Sequence, residues 1–220
     1  MERPQFGLGR KANDYGLGFY CTEDLDMAKE WACTYIDSGF ANEYSLDMTN
    51  LKTLNLNSDE YTILNWMAVL LANREFRLRT PNARRAKQYL LDNFYVNVEA
   101  YDVIKGYRAD DSYYDFADDF LNNAITVNQL ARALTLGKLG EQIIIKSQFA
   151  FTQLEFKRCS PADKDIYYPR RKARNDEALN DYISISNEDD NGLYLSEIVR
   201  GKVRNDDERI PRNVPAKSDD

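Results

Sequence analysis

The sequence predicts an α+β domain. Segments with apolar residues at helical spacing are mixed with short aromatic or β-branched runs, and the two types do not alternate regularly. The 220 residues are 43% hydrophobic and 12% aromatic, enough to build a sizeable core. No internal repeat is visible. One domain over residues 1–203, followed by a disordered polar tail over 204–220, is the expected organisation, because the chain after Arg204 is charged and lacks apolar rhythm.

Residues 1–17 are polar and glycine-rich and read as a loop. "GFYCT" (18–22) reads as a strand ending on Thr22, a suitable N-cap, with Glu23 and Asp24 in the first turn where the helix dipole favours acids. Leu25, Ala28, Trp31, Ala32, Tyr35 and Ile36 then mark a helix. "EYSLDMTNLKTLNL" (43–56) suggests one or two strands. Ser58 opens a helix to about Arg74, and Pro81 opens the next over "NARRAKQYLLDNF". "AYDVIKGYR" (100–108) is a strand running into a turn at "ADDSYY", followed by a helix over 113–122 that buries Phe116 and Phe120. Thr126 and Gln129 form a capping box, and Gly137 closes that helix. "EQIIIKS" (141–147) is a strand buried on both faces. "FTQLEF" (151–156) reads as a strand that pairs nearby. Ser160-Pro161 begins a helical stretch interrupted at Pro169 and running towards Ile185.

Composition narrows the chemistry. The chain contains no histidine, which removes Ser-His-Asp and Cys-His mechanisms and the commonest metal ligand. Cys21, Cys33 and Cys159 lack Cys-x-x-Cys spacing, so neither a disulfide framework nor a cysteine zinc site is expected. No metal is expected. A net charge of −7 argues against a nucleic-acid binder. No apolar run is long enough for a membrane span and Met1–Pro4 lacks a signal core, so the expected location is the cytoplasm.

Several residues carry two readings. Gly16 and Gly18 either make a turn before a strand or let a ligand approach the backbone. Tyr20 is an edge or core tyrosine, or a stacking platform. Trp31 packs on the apolar face of its helix, or walls a cleft. Arg108 with Asp110, Asp111 and Ser112 forms a capped turn or part of a binding cleft. Asp115, Asp118 and Asp119 lie at helical spacing and read as a solvated helix face rather than a cation site. The basic runs at 74–85 and 170–174 read as phosphate- or nucleic-acid-binding groups or as surface ion-pairing groups, and acidic residues elsewhere in the chain favour the second reading.

As a set, "FGLGRKANDYGLGFYCT", "GYRADDSYYDFADDF", "LGKLGEQIIIKS" and "YYPRRKARND" resemble the ADP-ribosyltransferase superfamily of the diphtheria-toxin and poly-ADP-ribose-polymerase type. The likeness is closest to a bacterial and phage branch known only as a domain of unknown function, and it spans roughly residues 4–200. It implies a split β-sandwich surrounded by helices that binds NAD in a cleft. Tyr20 would stack on the nicotinamide, Trp31 would form a wall, and Asn13, Asp14, Gly16 and Gly18 the mouth, with Arg108 and Ser112 beside it. A carboxylate heading the later strand would hold the ribose and stabilise a cation-like transition state. In "EQIIIKS" either Glu141 or Gln142 stands there; they face opposite ways along a strand, and alignment with the branch favours Gln142.

The resemblance is incomplete. The family's first strand, with its His-Gly pair, would precede Met1. Two functions follow as expectations. One is transfer of ADP-ribose from NAD to a macromolecular acceptor, in a toxin or phage–host conflict setting. The other is an inactive NAD- or ADP-ribose-binding or interaction module on the same fold, with a protein partner covering an open sheet edge.

Overall fold

A computed structural model describes residues 4–78, 80–109, 111–136 and 141–213, with Asp111 and Ser112 described in backbone only. Among these, four strands form one mixed sheet in the order β1-β5-β4-β3: β1 (Phe19–Cys21), β5 (Glu141–Ile145), β4 (Val103–Tyr107) and β3 (Thr53–Asn55). Only β3 and β4 run parallel; β4 to β5 and β5 to β1 are antiparallel. A separate antiparallel ribbon pairs β2 (Gly39–Leu46) with β6 (Leu154–Ala162). Eight α-helices accompany them: α1 (Leu25–Ala32), α2 (Ile63–Asn73), α3 (Pro81–Phe94), α4 (Asp111–Leu121), α5 (Val127–Ala133), α6 (Gln148–Thr152), α7 (Lys164–Ser186) and α8 (Leu195–Arg200). The class is α+β.

The central position of β5 explains its isoleucines. Ile144 points into the large core with Ile104, Leu54 and α2, whose residues from Ile63 to Leu71 are all buried. Ile143 and Ile145 point the other way, into a smaller cluster with Val103, Phe19, Leu46 and Leu154 that faces the ribbon. The sheet therefore has two covered faces, and consecutive β5 side chains serve different cores. Phe116 and Phe120 are fully buried on α4, and Gln129 closes the capping box on Thr126 as its spacing predicts.

Local hydrogen bonding moves several boundaries. Asp24, not Thr22, caps α1 by accepting from the Met27 amide at 3.0 Å, while Thr22 Oγ1 accepts from the Asp24 amide. That helix ends at Ala32 rather than near Ile36. Thr34 Oγ1 accepts from the Ile36 and Asp37 amides and draws the chain into a turn, leaving Tyr35 and Ile36 exposed. The Ser58 hydroxyl likewise bonds the Asn55 carbonyl in a turn, so α2 begins only after Thr62, whose amide donates to Asn65 Oδ1. The expected turn over "ADDSYY" is helix from Asp111 onward; Asp110 and Gly137 lie outside the described residues.

The later part of the chain differs more. The strand expected at 151–156 starts at Leu154, after the short α6, and pairs with β2. It runs to Ala162, so Ser160 and Pro161 are strand rather than helix start; a proline is tolerated because both strands of a ribbon are edges. Helix α7 passes through Pro169 unbroken. Only the carbonyl of exposed Asp165 loses its helical donor, and Ala178, Tyr182 and Ile185 anchor the helix by burial.

Residues 204–213, expected to belong to a disordered tail, pack on the body. Ile210 is buried, the Asn213 amide donates to the Tyr61 carbonyl at 3.0 Å, and Arg212 makes a β-bridge to Thr62. One isoleucine among charges has no periodicity for a sequence reading to detect. The remainder of the expected tail, 214–220, lies outside the described residues. Among the described residues no helix is long and apolar enough to cross a membrane, and no group of three or more Cys, Asp or Glu side chains is placed to hold a metal ion.

Candidate functional site

The loop before β1 folds back over the end of the sheet, and the sequence supplies the reasons. Tyr15 is fully buried despite its polar surroundings in sequence, and its hydroxyl donates to the Tyr107 carbonyl at 2.8 Å. Gly16 adopts φ +74°, where a side chain is strained, and a Cβ there would stand 2.7 Å from Asn73 Oδ1. At Gly18 a Cβ would collide with Ile144 on the neighbouring strand. Lys146, at the end of β5, is buried and spends three donors holding the loop: to the Tyr15 carbonyl at 2.9 Å, the Leu17 carbonyl at 2.8 Å and Glu99 Oε1 at 2.6 Å. The paired glycines thus admit neighbouring parts of the same chain, and neither lines the cleft described next.

That cleft, of about 290 Å³, is lined by Asn13 and Asp14 from the loop, Tyr20 from β1, Trp31 from α1, Arg74 after α2, Arg108 and Ala109 after β4, and Gln142 from β5. Six of these carry the sequence-based expectations, and they converge from five segments: the loop, β1, α1, the chain after β4, and β5. Tyr20 is held by its hydroxyl, which donates to the Gly16 carbonyl at 2.7 Å and accepts from the Tyr15 amide at 3.1 Å. Burial pushes its phenol well up, so it remains protonated and serves as a ring and a donor. One face of Trp31 carries the Arg108 guanidinium at 4.3 Å from the ring centre. The indole Nε1 is buried without a hydrogen-bond partner.

Asp14 is the charged centre of the cleft. Its Oδ2 accepts from the Ala109 amide at 2.9 Å and from Gln142 Nε2 at 3.0 Å, and its Oδ1 pairs with Arg74 at 3.1 Å. Burial nonetheless outweighs these partners and raises its pKa above the ordinary carboxylate value. Sequence reasoning placed Asp14 only at the mouth and missed Arg74 and Ala109, since nothing in "LLANREFR" or "GYRADD" says that the end of a buried helix meets the end of a strand.

Glu141 and Gln142 separate as strand alternation requires. Gln142 is 3% exposed and faces the cleft. Glu141 is on the other side, where Oε2 pairs with Lys105 at 2.6 Å and Oε1 accepts from Asn57 at 2.9 Å. It does not line the cleft. Ser112 lies in the first turn of α4, and its side chain is outside the described residues.

A larger cavity of about 720 Å³ opens between the sheet and the ribbon, lined by Cys21, Leu46, Val103, Lys105 and Ile145 among others, and shares no residue with the cleft. Its one thiol is unreactive at neutral pH, because burial pushes Cys21 up to about 12. The aspartates expected on a solvated helix face divide. Asp119 accepts from the Tyr182 hydroxyl at 2.5 Å, and Asp118 accepts from Asn122. The basic runs do pair in part: Arg74 with Asp14, Arg170 with Asp26, Arg174 with Glu30.

Comparison with known protein families places the chain. The family model described as "Protein of unknown function (DUF3990)" covers residues 1–156, and the chain belongs to that family. No curated protein and no solved structure matches it.

Proposed function

We propose that this DUF3990 member is an ADP-ribosyltransferase-type domain that takes NAD in the Tyr20–Gln142 cleft and transfers ADP-ribose to a macromolecular acceptor. The observation that supports this reading is the convergence of Asn13, Asp14, Tyr20, Trp31, Arg108 and Gln142 on one cleft. The sheet with a facing ribbon is compatible with a split β-sandwich. Tyr20 offers a ring for the nicotinamide, and the guanidiniums of Arg74 and Arg108 suit the adjoining phosphate. A cleft of about 290 Å³ takes the nicotinamide riboside half, with the rest of the dinucleotide lying across the open mouth.

The chemistry needs little from the protein. The bond between the ribose C1′ and the nicotinamide nitrogen breaks, and its electron pair neutralises the pyridinium. A lone pair of the acceptor forms the new bond to C1′, and the acceptor's proton passes to solvent. The protein orients the NAD and stabilises positive charge on the ribosyl group. A setting in toxin action or phage–host conflict belongs to the same proposal and rests on resemblance alone.

The alternative is an inactive binding module in the same cleft, favoured by the neutral Gln142 where a catalytic carboxylate would stand. Calorimetry with NAD on the wild type and Tyr20→Ala tests the shared premise. Heat with the wild type, weakened at least tenfold by the substitution, supports it; no heat at millimolar NAD ends the transferase reading. Nicotinamide release then separates enzyme from module.

A further inference from the structure

The amide of Gln142 has no freedom to turn over. Its nitrogen donates to Asp14 Oδ2 at 3.0 Å and to the Tyr107 carbonyl at 3.1 Å. Both partners are acceptors, so a flipped amide would set its oxygen against two oxygens and strand its own donors. Oε1 is therefore the atom left for a visitor, and no described donor bonds it. Behind the nitrogen stands a carboxylate that is 6% exposed and held by a main-chain amide and a guanidinium.

We propose that Asp14 and Gln142 act as one unit: Gln142 presents an acceptor-only oxygen to a ribose-type hydroxyl, and Asp14 supplies from behind it the negative charge that a glutamate at 142 would carry. The unit rests on the NAD reading above. A carboxylate accepting from one end of an amide draws its proton outward and leaves more electron density on the oxygen at the other end. Arg74 and the Ala109 amide favour the ionised form of Asp14 against the burial that raises its pKa. Gln142 is the binding group, and Asp14 is a positioning residue that acts through it.

This overturns the simple view that Gln142 is a lost catalytic acid. Gln142→Glu would set two carboxyls about 3 Å apart, where they cannot both ionise and must share a proton, and would remove the amide that donates to the Tyr107 carbonyl. The substitution is therefore harmful rather than restorative.

The test measures NAD affinity by calorimetry, nicotinamide release, and the Gln142 side-chain amide resonances of ¹⁵N-labelled protein, assigned by their loss in Gln142→Glu. The expected results are a shifted Gln142 amide pair in Asp14→Asn, and NAD affinity at least tenfold weaker in both Asp14→Asn and Gln142→Glu. Faster nicotinamide release in Gln142→Glu than in the wild type overturns the unit, as does an Asp14→Asn protein whose Gln142 resonances do not move. If the wild type gives no heat with NAD, the NAD reading falls and the resonances alone decide whether the two side chains are coupled. Should Asp14→Asn fail to fold, acid titration of the wild type reads the same coupling, since protonating Asp14 must shift the Gln142 pair. Resonances unmoved through that titration end the proposal.

Discussion

The Tyr15 hydroxyl meets the Tyr107 carbonyl at 2.8 Å across 92 residues of chain, directly over Gly106. The same carbonyl also accepts from Trp66 Nε1 and Gln142 Nε2, each at 3.1 Å. One backbone oxygen at the end of β4 thus ties the N-terminal loop, helix α2 and strand β5 together beside the cleft.

Gly106→Ala should be far more damaging than Tyr15→Phe. A Cβ on residue 106 collides with the Tyr15 hydroxyl, and overpacking of this kind costs about 1–3 kcal/mol, more where the ring cannot retreat. Tyr15→Phe removes one hydrogen bond from a carbonyl that keeps two others, a loss of about 1 kcal/mol. Urea unfolding of the two variants measures the difference; equal midpoints would mean that the ring and the strand are not packed as described.

Lys146→Met should loosen the loop that carries Asp14. The substitution keeps the aliphatic body but leaves the Tyr15 and Leu17 carbonyls without their buried donor, at a cost of about 2–4 kcal/mol. Amide hydrogen exchange should speed up over residues 13–18 more than over α2. Uniform acceleration would show that Lys146 supports the whole fold and not this loop.

The two carboxamide and carboxylate candidates should behave oppositely. Gln142→Ala removes a cleft group and should weaken NAD binding at least tenfold. Glu141→Gln cuts the Lys105 ion pair on the other face and should leave that affinity within about twofold, since the residue does not line the cleft. Loss of binding in Glu141→Gln would place the ligand on the ribbon side of the sheet.

Asp14 makes the wild type gain stability relative to Asp14→Asn as pH falls. Its folded pKa is raised by burial, so the folded state binds the proton more tightly than the unfolded chain. Stability then declines as pH rises from the unfolded value, near 3.8, through the folded pKa, and the decline is complete above it. Chemical unfolding of both proteins between pH 4 and 7 reads the gap between them, an interval on the order of the perturbed carboxylate range. A gap that moves in the other direction would mean that Arg74 and Ala109 outweigh desolvation.

Ile210→Ala should destabilise the whole domain by about 2–4 kcal/mol, the ordinary cost of emptying a buried aliphatic site. Thermal unfolding with one cooperative transition at lower temperature is the expected result. An unchanged midpoint would return residues 204–213 to the status of a tail.

The residues alone determined the parts of this protein that depend on neighbours a few positions apart. The isoleucine run at 143–145 announces a central strand, because only a strand covered on both sides tolerates apolar side chains at consecutive positions. Thr126 and Gln129 announce a cap, since the two bonds that define it close within three residues. Asn13, Asp14, Tyr20, Trp31, Arg108 and Gln142 were legible as candidates through motif resemblance, and strand alternation foretold that Glu141 and Gln142 would part. Tertiary packing decided what those residues touch. Gly16 and Gly18 face Asn73 and Ile144, Arg74 arrives from 60 positions away to pair with Asp14, and Ile210 finds a core that its own segment gives no hint of. Periodicity and capping are local properties of a chain, whereas the burial of Asp14 and the locking of the Gln142 amide arise only when distant segments close around them and exclude water.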